Sequence, residues 1–200
     1  MEYLQNLQKR KEEVTSAIAE QEKLTPELAA AIENAQTLAE VEDLYRPYKP
    51  KRRTRASIAR ERGLEPLALT LLEQKKDMAD PLLLAEDYVD AEKQLPDVAS
   101  VLQGAMDIVA EMVSDDAGIR SKLRSYFSQK AEIKTVAARE EDSVYSMYYD
   151  FQEPYQKIPG HRVLAINRGE KEGFLKVSLV ADAQEALRLI YDSVLLGESP

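Results

Sequence analysis

Pro47 and Pro50 stand inside a chain otherwise written in helical periods, and together they divide it. Proline lacks an amide hydrogen and has a fixed φ, so a regular helix cannot run through Arg46-Pro47-Tyr48-Lys49-Pro50. The residues before the two prolines, Arg46 and Lys49, are biased towards extended backbone. The chain must therefore fold as helical segments on either side of a stiff connector. That connector is also basic: between Arg46 and Arg62 there are eight Lys or Arg residues and one acid, Glu61, in a protein of net charge -9. Such a strip attracts phosphates locally while the surrounding acidic surface repels them, which favours oriented contact over general adhesion.

On the N-terminal side, residues 2 to about 22 read as a helix with Tyr3, Leu4, Leu7, Val14 and Ile18 on its apolar face, interrupted by Lys11. Thr25-Pro26-Glu27 then supplies a cap, a proline suited to the first helical position and an acid near the positive helix end. Leu28, Ile32, Ala35, Leu38, Val41 and Tyr45 recur at steps of three and four, which predicts one helix over residues 26–45. Residues 1–55 are thus expected to form a helical hairpin followed by the basic connector.

Beyond the connector, Thr54 can cap a helix from Arg55 to Arg62 that Gly63 closes, and Pro66 opens another to about Gln74. The unit resembles a helix-turn-helix. Its second helix, however, carries Leu67, Ala68, Leu69, Leu71 and Leu72 around most of its circumference, whereas a base-reading helix must present polar and basic side chains. A packing role is expected for it. Asp80-Pro81 begins a short helix to about Val89, and Pro96-Asp97 opens the clearest amphipathic helix, with Val98, Val101, Leu102, Ala105, Ile108, Val109, Met112 and Val113 on one face. A further helix, from about Asp116 to Gln129, offers Ile119, Leu123, Tyr126 and Phe127. Residues 56–130 therefore read as a helical bundle.

The pattern changes near Ala131. Glu132 to Ala137 and Gly173 to Leu179 are β-prone and are predicted to pair as a two-stranded ribbon. Residues 144–149, a stretch from Pro159 to Arg168 and another from Asp182 to Ser193 read as helical. The expected fold class is mainly α: a multi-helix bundle with a helix-turn-helix-like unit and a small β ribbon in residues 131–200.

The residue types present narrow the chemistry. There are no cysteines and only one histidine, His161, so disulfides, thiolate metal sites and cysteine nucleophiles are excluded, and no second histidine can complete a zinc site. No glycine-rich phosphate loop occurs. Glu140-Glu141-Asp142 and Asp115-Asp116 could gather a divalent ion only with further converging ligands, and a solvated surface or a helix cap explains them as well. His161 is read as a packing or capping residue. No catalytic, cofactor-binding or metal-binding residue is expected, and an intracellular, cytoplasmic setting without a membrane span is. The candidate nucleic-acid residues are Tyr45, Arg46, Tyr48, Lys49, Lys51, Arg52, Arg53 and Arg55: cations to neutralise phosphates and tyrosines to stack on unpaired bases. The competing reading makes Tyr45 a core residue and pairs Arg52, Arg53 and Arg55 with internal carboxylates or with other parts of a longer protein.

Several blocks resemble the Tex family of bacterial transcription accessory proteins. They are Leu44-Tyr45-Arg46-Pro47-Tyr48-Lys49-Pro50-Lys51-Arg52-Arg53-Thr54, then Ile58 to Ala68, Ala105 to Glu111, Tyr149 to Pro154, Ile158 to Ala165 and Arg168 to Gly173. They occur in family order and span nearly the whole chain. The resemblance implies a piece of the N-terminal helical region of a longer protein, in which an RNase H-like domain, helix-hairpin-helix modules and an OB-fold RNA-binding domain follow. It implies nucleic acid as a partner of that parent, with its other domains and the transcription machinery as further partners. Gly160 departs from the serine the family pattern leads one to expect, which puts a side-chain helix cap there in doubt. Three functions are therefore expected in order: a non-enzymatic helical scaffold, direct sequence-tolerant RNA or DNA binding through residues 45–62, and a docking surface for the transcription machinery.

Overall fold

The computed structural model describes residues 2–50 and 52–196. They fall into two compact units, one holding the described residues up to 120 together with 194–196 and the other residues 121–193. The architecture is mainly helical with one small antiparallel sheet.

In the first unit, α1 (Glu2–Ala19), α2 (Pro26–Asn34) and α3 (Leu38–Tyr45) enclose a core of Leu7, Val14, Ile18, Ile32, Ala35 and Val41. Lys11, which interrupts the apolar face of α1, is buried and donates from Nζ to the Glu33 carbonyl at 2.5 Å, so a cation meets the negative end of α2. Residues 26–45 are two helices, where the apolar spacing predicts one. Thr37 restarts the chain as an N-cap, accepting from the Glu40 amide at 3.2 Å, while Glu40 reaches back to accept from the Gln36 amide at 2.6 Å. The apolar spacing runs on across the break because both helices face the same core.

A second core lies under α4 (Arg55–Glu61), α5 (Glu65–Glu73), α6 (Pro81–Glu86) and α7 (Val98–Asp115). It is built from Ala56, Ala59, Leu64, Leu67, Val101, Ala105 and Ile108, among others. Thr54 and Ser57 form a reciprocal capping box at the start of α4, and Asp97 and Ser100 form another at the start of α7. Gly63, at φ +87°, makes the left-handed turn into α5, which buries Leu67 and Ala68. The turn between α4 and α5 packs closely on α7 because Gly104 lacks a side chain: a Cβ there would lie 2.4 Å from Leu64 Cδ1.

α8 (Ala117–Lys130) carries the chain into the second unit. There β1 (Glu132–Ala137) is the centre of a three-stranded sheet, flanked by β2 (Asp150–Pro154) and β3 (Leu175–Val180). The expected pairing of β1 with β3 is present, with Thr135 opposite Val177. β2 is an addition to the expected ribbon, pairing Thr135 with Phe151. Its five residues include three polar side chains and end in Pro154, a composition tolerated on an edge strand and silent in a search for alternation. The inward residues Ile133, Leu175, Tyr145, Tyr148 and Ile166 form the core against α9 (Gly160–Lys171). Residues 146–148 form a single 3-10 turn, and α10 (Ala183–Val194) closes the unit. α9 begins at Gly160 with Pro159 at the cap position, which offers no side-chain cap.

Candidate functional site

The basic connector begins as a continuation of α3. Arg46–Tyr48 is a 3-10 turn, with the Arg46 amide donating to the Asp43 carbonyl and the Lys49 amide to the Arg46 carbonyl at 3.4 Å. Arg46 is therefore helical (φ -53°, ψ -43°) despite preceding a proline, whereas Lys49 is extended as its neighbour dictates. The bias on Arg46 is overcome by these backbone bonds and by an ion pair from its own side chain.

That pair joins the two helical cores of the first unit. Arg46 Nε lies 2.7 Å from Asp115 Oδ1 on α7, and in the opposite sense Arg120 Nε on α8 lies 2.6 Å from Asp43 Oδ1 on α3. Both carboxylates are nearly inaccessible, with side chains only 8% and 6% exposed. Charges so placed depend on their partners, since a buried carboxylate left unpaired is costly. The crossed pairs therefore fix the end of α3 against the α7–α8 corner.

Asp115 is the last rung of a ladder on α7. Asp107, Glu111 and Asp115 follow at steps of four, and each step rotates the side chain by about 40° towards the buried face. Glu111 accepts from Arg60 Nη1 at 2.6 Å and from the Thr54 hydroxyl at 3.0 Å, and Asp107 faces Arg55 Nε at 3.9 Å. Arg60 also reaches Glu65 at 3.2 Å; burial works against its charge, but the bonds to Glu111 and then Glu65 raise its pKa above the ordinary arginine value. The ladder has a sequence signature, carboxylates at i, i+4 and i+8 beside the apolar stripe of an amphipathic helix. Reading Asp115-Asp116 only as a helix boundary misses it.

The proposed stacking tyrosines are half-buried on the first core. Tyr45 packs there with Arg10 and Lys49 within 5.6 and 6.0 Å of its ring centre. Glu42 ties these cations together, 2.6 Å from Arg10 Nε and 3.2 Å from Lys49 Nζ. The Arg10 hydrogen bond, opposed by partial burial and aided by Lys49, holds the Glu42 carboxyl below the usual range, and the same bond raises Arg10. Tyr48 packs on the same core, and its carbonyl accepts from Gln21 at 3.0 Å. Lys51 lies outside the described residues.

The other three candidates differ. Arg53 meets Glu61 at 3.5 Å with both side chains largely in solvent, Arg55 is 85% exposed, and Arg52 is exposed with no ion pair among the described residues. Arg52 stands with Arg46, Lys49, Glu111, Ser114 and Asp115 around a cleft of about 420 Å³. Among the described residues no His, Cys, Asp and Glu cluster could hold a metal ion, and no helix is long and apolar enough to cross a membrane. His161 is exposed in the first turn of α9.

Known proteins are similar to this sequence. Residues 76–194 match the Tex central region-like family. An uncharacterized protein YdcI of Bacillus subtilis is 42% identical across 99% of this chain and 28% of its own length. The transcriptional accessory protein Tex of Neisseria gonorrhoeae is 43% identical across 90% of this chain and 24% of its own. The S1 RNA-binding domain-containing protein 1 of Pongo abelii is 29% identical across 90% of this chain and 19% of its own. The chain spans about a quarter of the length of the curated relatives it matches.

Proposed function

We propose that this chain, which belongs to the Tex central region-like family, is a non-enzymatic helical scaffold within a nucleic-acid-binding transcription accessory protein of the cytoplasm. It would hold the nucleic-acid-binding parts of such a protein in position. The supporting observation is the crossed pair, Arg46 with Asp115 and Arg120 with Asp43, which engages the connector's first cation within the fold's own ion pairs and clamps two cores through nearly buried carboxylates. A scaffold needs such rigidity at its joints; a mobile binding arm does not. Hydrogen exchange on the chain tests it. The amides of Arg46, Lys49 and Thr54, which donate to the Asp43 and Arg46 carbonyls and to Ser57 Oγ, should be protected, and Arg46→Ala or Arg120→Ala should release that protection. Fast exchange of these amides in the unaltered chain would defeat the reading.

Direct contact with nucleic acid is the second reading, favoured by the exposure of Arg52, Arg53 and Arg55 on one short segment. The names of the relatives, one a transcriptional accessory protein and one carrying an S1 RNA-binding domain, support a nucleic-acid setting. In this reading the cations meet phosphates, while Tyr45 and Tyr48 serve the core. Titration of the chain with RNA should show affinity falling steeply as salt rises, and replacing Arg52 or Arg53 by Ala should reduce the slope by about 0.7–0.9.

A further inference from the structure

The ladder on α7 does more than anchor the connector. We propose that Asp107 and Glu111 act as an internal competitor for phosphate, masking a phosphodiester-binding strip formed by Arg52, Arg53 and Arg55. The inference rests on the direct-contact reading and adds to it a built-in restraint.

The geometry has three parts. Asp107 faces Arg55 at 3.9 Å, too long for a firm hydrogen bond yet close enough for strong attraction, and Arg55 is otherwise in solvent. Glu111 holds the Thr54 hydroxyl and Arg60, so it fixes the backbone between Arg53 and Arg55 against α7. Arg52 stands with Arg46 and Lys49 over the cleft that Glu111 and Asp115 also line, so a phosphate approaching it meets carboxylates that already hold neighbouring cations. A polyanion must therefore draw the arginines outwards while being repelled by the acids beneath them. Phosphodiester is the matching ligand class, because each successive arginine can neutralise one backbone charge. Asp115 is bound up with Arg46, and Glu111 is held by Arg60 and the Thr54 hydroxyl, so the restraint falls most directly on Asp107, which faces Arg55, with the Glu111 charge behind it.

The two roles separate under mutation. Removing one negative charge about 6 Å from a bound phosphate, in water-like surroundings, should tighten binding about threefold at low salt. The test is fluorescence anisotropy of a labelled single-stranded RNA 20-mer and of a duplex DNA 20-mer, at about 50 mM salt, where phosphate contacts are least screened. The unaltered chain is compared with Asp107→Asn, Glu111→Gln and Arg52→Ala, each checked by circular dichroism and melting. Tighter binding by Asp107→Asn and Glu111→Gln, with weaker binding by Arg52→Ala, is the expected result. If Glu111→Gln melts early through loss of the Thr54 contact, Asp107→Asn alone decides. Binding that weakens in Arg52→Ala but is unmoved or weakened in Asp107→Asn overturns the masking while leaving direct contact standing. No binding by any variant to either probe overturns both, and leaves the scaffold reading to its own exchange experiment.

Discussion

At Glu42 a single carboxylate serves two cations, Arg10 from α1 and Lys49 from the connector, beside the Tyr45 ring. The Arg10 hydrogen bond lowers its pKa in the folded protein, so folding favours the ionised form. The stabilisation is present above the unfolded pKa of about 4.3 and is lost as pH falls through the lower folded value. Glu42→Gln should cost about 0.5 kcal/mol near pH 7, as expected for a pair open to solvent, and the gap to the parent should close between about pH 5 and pH 3. Urea unfolding at several pH values checks this; a gap that widens in acid would reverse the sign. Residue chemistry of this kind is only half legible in sequence. Tyr45 as a continuation of an apolar face is visible in its spacing, but which acid meets which arginine depends on chain segments tens of residues apart.

Among the elements, the caps are what the sequence announces best: Thr25, Thr54, Asp80 and Asp97 all accept from the first turns of the helices they precede. The signals are local, a side-chain oxygen beside an amide two or three residues on, and need no tertiary context. The break between α2 and α3 is hidden because a shared core continues the apolar spacing across Thr37, although Thr37 and Glu40 carry the mark of a capping box. β2 is hidden because Phe151 is the one residue of the strand that packs on the core, while Asp150, Gln152 and Glu153 are polar. The contact of α7 with the turn between α4 and α5 depends on Gly104. Helix propensity alone would make Gly104→Ala stabilising by about 1 kcal/mol, but the new Cβ would strike the buried Leu64. Overpacking should win and destabilise the chain by about 1–3 kcal/mol in chemical unfolding, and a gain in stability would show that Leu64 has room to move.

For the molecule as a whole, three separate cores organise the chain, two in its first unit and one in its second. Their helical character follows from periodicity and caps. The arrangement of the first two follows from charge, through the α7 ladder and the crossed arginines, and periodicity does not report charge pairing. The basic segment is conspicuous in sequence because eight cations stand in an acidic chain; of these, Arg46 and Arg60 are held by carboxylates at 2.7 and 2.6 Å, whereas Arg52, Arg53 and Arg55 stand open to solvent. The docking role falls on Arg46, whose loss should lower the melting temperature by about 2–4 °C if the pair is worth about 1 kcal/mol. Arg53→Ala should leave it almost unchanged, because that pair is exposed. The central claim, that the connector is a structural clamp between two cores, is tested most directly by a double-mutant cycle of Arg46→Ala and Asp115→Ala in urea unfolding. The clamp predicts a coupling energy of about 1 kcal/mol between the two positions, and additive effects with no coupling would contradict it.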